Sequence, residues 1–187
     1  MPNSSRLSHP KLTSIALFAS ALALGATGAL AQERFKYSFQ NPPEIVSIYK
    51  AAHNIDVGDV AGHVLRLSAL QLAYPAAGPA PTYSGVRVKE SNTVLKSDLQ
   101  DGNGAASGYT ITTLVTGDKV FLETSLIVQT APGELGRATT RVTQTYVITG
   151  GTGKFKNVRG VLRSSSVTDF QTATRGAVTE GEYYFAE

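Results

Sequence analysis

The chain has 187 residues, 17 basic and 14 acidic side chains for a formal charge of +3, and no cysteine. With 42% hydrophobic and 17% charged residues it is globular rather than disordered, and its length suits one domain. The missing cysteines exclude a disulfide scaffold, a zinc ribbon, a thiol nucleophile and a cysteine-ligated cluster. The first 31 residues read as a cleaved secretory signal peptide. Arg6 and Lys11 precede an apolar run from Ile15 to Leu24, and Ala29-Leu30-Ala31 supplies the small-x-small pattern of a cleavage site. That run is far shorter than the ~20 residues needed to span a bilayer. The expected division is therefore a signal peptide over 1–31 and one domain over 32–187. Localisation is secreted or periplasmic, with no membrane span after cleavage. The mature chain keeps 15 basic and 14 acidic residues, a charge of +1, and loses Met1, the only methionine. Its Lys and Arg are scattered singly among Thr, Ser and Gly, so the clustered basic face of a nucleic-acid binder is absent and no nucleic-acid partner is expected.

Beyond residue 31 the signal is period two, in Thr-, Val-, Tyr- and Ile-rich runs broken by Gly, Pro and Asp. Expected strands are Arg34–Phe39, Glu44–Lys50, His63–Tyr74, Gly85–Lys89, Tyr109–Thr116, Lys119–Gln129, Ala138–Thr149, Val158–Ser166 and Glu180–Phe185. Pro42-Pro43, Tyr74–Pro81, Gln100–Gly108 and Ala131–Gly136 are expected loops. Thr116-Gly117-Asp118 reads as a hairpin turn. Gly150, Gly151 and Gly153 permit a tight structural turn between two further strands. The pattern is all-β and antiparallel, an up-and-down barrel or a sandwich. In Val120–Val128 one face is Val120, Leu122, Thr124, Leu126 and Val128; the other holds Phe121, Glu123, Ser125 and Ile127.

Several chemistries are tested by spacing. Gly150-Gly151-Thr152-Gly153-Lys154 resembles a phosphate loop, but Ile148 stands where its first Gly belongs and Phe155 where Ser or Thr must follow the Lys. His53, His63, Asp56, Asp59 and Glu44 are the only metal-site candidates. They lack an HxH or HExxH spacing, so neither a metal nor any other cofactor is expected. No G-x-S-x-G elbow is present. Glu123 is the candidate catalytic carboxylate: in an apolar lumen its pKa would rise and suit it to proton transfer. Glu90 is a lesser candidate. Tyr74, Tyr109, Phe121, Arg141 and Tyr146 are the candidate ligand contacts of a barrel interior, with Arg66 a further polar group expected there.

Over Tyr146–Gly160, with its Gly-Gly-Thr-Gly-Lys-Phe turn and a Gly before the next strand, and in the paired aromatics Tyr183-Tyr184, the chain is similar to the allene oxide cyclase barrel and dirigent superfamily, as an exported bacterial-type member. The resemblance covers roughly residues 138–187. It implies an antiparallel eight-stranded up-and-down barrel with a central, largely apolar cavity, often as a homodimer or homotrimer. It also implies either cyclisation of an unsaturated epoxide guided by a cavity carboxylate, or stereoselective coupling of phenoxy radicals or quinone methides. This chain has no cavity Cys and no Asp or Glu in Arg34–Gln40. The leading expectation is an exported barrel that binds a small apolar or aromatic molecule in its lumen. The alternatives are an allene oxide cyclase-like or dirigent-like cyclase or isomerase, and a non-catalytic structural protein of the envelope.

Overall fold

A computed structural model describes residues 32–42, 45–132, 138–169 and 174–187, all within one unit, Gln32–Glu187. The expected signal peptide and cleavage site lie outside the described residues, as does Glu44. Ten strands follow in chain order: β1 Arg34–Gln40, β2 Val46–Asp56, β3 His63–Ala73, β4 Thr82–Tyr83, β5 Val86–Gln100, β6 Asn103–Leu114, β7 Lys119–Pro132, β8 Ala138–Gly151, β9 Val158–Asp169 and β10 Thr174–Phe185. A single turn of 3-10 helix, Gly153–Phe155, precedes β9. The sheet runs β1-β10-β9-β8-β7-β6-β5-β3-β2, antiparallel throughout, with β4 appended to β5. The first strand pairs with the last, and all nine long strands face one central cavity. The sheet is thus curled into a barrel whose two edge strands, β1 and β2, are consecutive in the chain. Among the described residues no ladder joins them.

The all-β, antiparallel barrel agrees with the sequence reading, but the strand count differs: nine long strands and one short one replace the expected eight. The largest difference is at Gln100–Gly108, read as a loop for its glycines. The chain turns only at Asp101-Gly102, both with positive φ (51° and 78°), the backbone of a two-residue hairpin turn. β6 then begins at Asn103. Its glycines are there because a neighbouring backbone comes close: a Cβ on Gly108 would lie 1.9 Å from the Val94 carbonyl oxygen. Strand glycines of this kind mark close approach rather than a break. The same turn chemistry joins β4 to β5 at Ser84-Gly85 (φ 44° and 77°), just beyond the expected loop Tyr74–Pro81, which carries no strand or helix. β2 and β10 also run longer than their patterns suggested, and Gly85–Lys89 proves to be the start of the 15-residue β5.

One end of the barrel is packed solid. Tyr83, Val88, Leu114, Val120, Leu122, Ile148, Phe155, Val158, Leu162 and Tyr183 form the core there. The glycine turn builds the centre of this plug. Thr152 N–H donates to the Lys119 carbonyl (2.9 Å), and Lys119 N–H donates back to Thr152 Oγ1 (2.8 Å). That exchange clips the turn to the β6–β7 hairpin. A Cβ on Gly151 would meet the Lys119 oxygen at 2.2 Å, so only glycine allows the clip to close. The 3-10 turn then drops Phe155 into the barrel end, where it is fully buried. Tyr83 arrives from the β4–β5 hairpin, its ring 5.4 Å from Tyr183 and 6.4 Å from Phe155. Such aromatic pairs contribute about 0.5–1.5 kcal/mol each beyond the burial of their area.

Phe155→Ala is expected to destabilise the domain by about 3–5 kcal/mol, because a buried ring is replaced by a cavity that its neighbours on separate strands cannot fill. Equilibrium urea denaturation measures it. A loss below about 1 kcal/mol would contradict the role of the glycine turn as the seat of the plug.

Candidate functional site

Above the plug the barrel is hollow. A cavity of about 400 Å³ is bounded by inward side chains of every long strand. Its walls follow strict alternation: Arg66, Ser68, Leu70 and Leu72 from β3; Ser91 to Leu99 by twos from β5; Leu122, Leu126 and Val128 from β7; Thr140, Val142, Gln144 and Tyr146 from β8. A bulge in β5 restores the phase. One extra residue between Val88 and Glu90 lets both Val88, in the plug, and Ser91, in the cavity, point inward.

Two textures line this space. The first is aliphatic, from leucines and valines on β3, β5, β7, β8 and β9. The second is a belt of hydroxyls that satisfy one another across strands. Thr110 Oγ1 lies 2.9 Å from both Thr93 Oγ1 and Thr124 Oγ1, which links β5, β6 and β7. Ser91 pairs with Thr112 at 3.0 Å, and Thr179 donates to Ser164 Oγ at 3.0 Å. Mutual pairing removes most of the desolvation cost of burying these groups, so the belt is compatible with an apolar occupant. Among the described residues no buried side-chain N or O atom lacks a partner.

Where the cavity meets the plug, tyrosines gather. Tyr37 and Tyr83 have ring centroids 5.2 Å apart, and Tyr74 and Tyr146 share the same wall. Burial, and then the neighbouring tyrosines, hold the phenols of Tyr37 and Tyr83 well above the ordinary tyrosine range; a hydrogen bond from Tyr37 partly offsets this at Tyr83. Both are therefore neutral at physiological pH. Tyr183 Oη accepts the backbone N–H of Ser84 at 2.6 Å, fixing the β4–β5 hairpin over this floor.

Of the candidate ligand contacts, Tyr74 and Tyr146 line the cavity, as does Arg66. Tyr109, Phe121 and Arg141 are not among its lining residues. Tyr109 is 65% exposed and sits opposite Glu123 on the outer face of the β6–β7 pair. Arg141 is exposed between the inward Thr140 and Val142. Glu123 is likewise exposed, flanked by the buried Leu122 and Thr124. The expected lumen position of Glu123 is corrected on this ground: alternation turns the apolar face of β7 inward and leaves the carboxylate in water. Glu90 is half-buried and bonds the Gln71 side-chain amide at 2.8 Å. Among the described lining residues there is no Asp, Glu, Lys or His. Gly150, Gly151 and Gly153 hold the structural turn described above. Tyr37, Tyr83 and Tyr183 were absent from the sequence candidates. For Tyr37 and Tyr183 the signal was the shared inward parity of β1 and β10, legible only once the first and last strands are known to pair; Tyr83 lies on the two-residue β4 just after the prolines.

Two of the metal candidates, His63 and Asp59, serve a different purpose. His63 lies on the outer surface with Nδ1 2.6 Å from Asp59 Oδ1 and Nε2 2.8 Å from Asp98 Oδ1. Hydrogen bonds to Asp98 and Asp59 raise its pKa, and the bond to His63 lowers that of Asp59. Only the doubly protonated ring donates on both sides. In that form it ties the β2–β3 turn to β5. Among the described residues no cluster is arranged to hold a metal ion.

No protein-family model and no curated protein matches the chain. Among solved structures it is similar to the pterocarpan synthase dirigent protein GePTS1, at 14% identity over 83% of this chain and 86% of that one, with a TM-score of 0.44. It is also similar to the pterocarpan synthase dirigent protein PsPTS1, at 15% identity over 82% and 94% of the two chains, again with a TM-score of 0.44.

The His63 bridge predicts a definite pH response. Because its folded pKa is raised, its contribution is complete below the ordinary histidine value of 6.5 and is lost as pH rises through the higher folded value. Asp59, with its pKa lowered from 3.8, contributes above that value and loses the contribution as pH falls through its folded value. An NMR titration of the His63 ring is expected to give a midpoint above 6.5 that falls in Asp98→Asn. An unshifted midpoint would contradict the bridge.

Proposed function

We propose that the chain is an exported β-barrel protein that holds a small apolar or aromatic molecule in its lumen. One observation carries the reading: the cavity of about 400 Å³, walled by aliphatic side chains and by hydroxyls already paired with each other. That volume falls within the ~300–1,000 Å³ range of small-molecule sites, and pairing among Ser91, Thr93, Thr110, Thr112, Ser164 and Thr179 lowers the polarity these hydroxyls present to an occupant. A hollow interior also counts against a purely structural barrel, in which side chains would fill the lumen. Export is supported by the charge and apolar pattern of residues 1–31 alone.

The cyclase or coupling alternative takes a particular form in this lumen. Among the described lining residues no carboxylate or imidazole stands ready to move a proton, and the buried Tyr37 and Tyr83 are neutral. Guidance of a ring closure would have to come from shape, hydrogen bonds of neutral phenols and the exclusion of water, a positioning effect rather than acid–base chemistry. Binding is the simpler reading.

The test uses a neutral aromatic probe, N-phenyl-1-naphthylamine, whose fluorescence rises in apolar surroundings. Saturable one-to-one binding is expected. Ser164→Phe, which places a ring in the lumen where Ser164 is now buried, should weaken it about tenfold or more, since a filled site loses its apolar contacts. Glu123→Gln, on the outer face, should leave it unchanged. Undiminished binding in Ser164→Phe would place the probe elsewhere and overturn the reading.

A further inference from the structure

Among the described lining residues of the lumen there is one formal charge. Arg66 is the only ionisable cation among the described lining residues, and no carboxylate accompanies it. It stands eight residues along β3 from Tyr74, about 27 Å from the tyrosine floor at the ~3.4 Å rise of an antiparallel strand, with Ser68, Leu70 and Leu72 between. Its cross-strand neighbour is Asn54, and Arg66 Nε donates to Asn54 Oδ1 at 2.9 Å. Among the described residues that is the one hydrogen bond the guanidinium makes, and no Asp or Glu lies within ion-pair distance of it.

We infer that the cavity takes its ligand as a monoanion, a carboxylate on an apolar or aromatic body, with Arg66 as the counter-ion. The inference rests on the lumen-binding reading and adds the charge of the ligand to it. A guanidinium stays protonated at any physiological pH, so this charge cannot be shed on burial. Asn54 occupies the Nε edge and fixes the plane of the group. The Nη1–Nη2 edge is left to donate two parallel hydrogen bonds, the arrangement that a carboxylate accepts in bidentate fashion. Arg66 is half-buried, with Asn54 and Ser97 as its cross-strand neighbours, and its single positive charge balances one negative charge; a dianion would carry a second charge with no cation among the described lining residues to match it. The lining serines and threonines add no competing charge, and Ser91, Thr93, Thr110, Thr112, Ser164 and Thr179 are engaged in hydroxyl pairs. The body of the ligand then lies along Leu70 and Leu72 towards the aromatic floor.

The test compares two probes of nearly equal shape, naphthalene-2-carboxylate and its neutral amide, naphthalene-2-carboxamide, by calorimetric or fluorescence titration at pH 7. Wild type is expected to prefer the carboxylate by about tenfold or more, the scale of a charge-assisted bidentate contact. Arg66→Gln should bring the two affinities together by weakening only the carboxylate. The amide's unchanged affinity then shows that the variant is folded and its lumen intact. Arg66→Lys, which keeps the charge but not the fork, should retain part of the preference. Equal affinities in wild type, or a preference that survives Arg66→Gln, would overturn the inference while leaving lumen binding in place. Failure of both probes to bind wild type would overturn the lumen reading and the charge assignment together.

Discussion

The lumen exists because one antiparallel ladder runs without interruption from β1 through β10 and on to β2, keeping every strand in phase with its neighbours. Side chains alternate with a period of two, so a slip of one residue in any pair would turn a whole wall inside out. The phase is protected at both kinds of weak point. Bulges in β2, β5 and β8 absorb extra residues and return the strand to its inward set. Tight turns with positive φ at Ser84-Gly85 and Asp101-Gly102 set the register of the hairpins they close. The Thr93–Thr110–Thr124 chain adds a side-chain link across three strands that forms only in this register. Packing at the plug and openness above it are therefore consequences of one alignment rather than separate features.

Closure of one end follows from local chemistry. The glycine turn and the β4–β5 hairpin each deliver one aromatic ring, Phe155 and Tyr83, into the barrel end, and β10 supplies the third in Tyr183. All three are buried to within a few per cent. The plug concentrates the fully buried core at one end, and the remaining length of the barrel encloses the cavity. No sulfur takes part: the domain beyond residue 31 has neither Cys nor Met, and cohesion comes from aromatic packing and the ladder.

Much of this was legible in the residues. Alternation in Val120–Val128 identified the apolar face that proves to be inward, and the Thr149–Phe155 segment read as a structural turn rather than a phosphate site. What misled was ambiguity of parity. Tyr146 and Tyr109 each occupy a mixed face, and period two alone cannot say which face meets the lumen; pairing with buried partners places the first inside and the second out. Glycine was the second source of error. Gly104 and Gly108 look like loop residues in a sequence, yet in the sheet they answer the close approach of Asp98 and Val94 backbone. Tyr83 was hidden behind the prolines that precede it, and Tyr37 and Tyr183 could be joined only by knowing that chain start and chain end pair.

The central claim is that inward-facing residues of the barrel, and not its outer surface, form the binding site. Threonine methyl groups report on both faces. An NMR titration of selectively labelled threonine methyls with N-phenyl-1-naphthylamine should shift the inward Thr93, Thr110, Thr112, Thr140 and Thr179 and leave the exposed Thr143 and Thr149 in place. Shifts confined to the outer threonines, with the inward set unmoved, would contradict it.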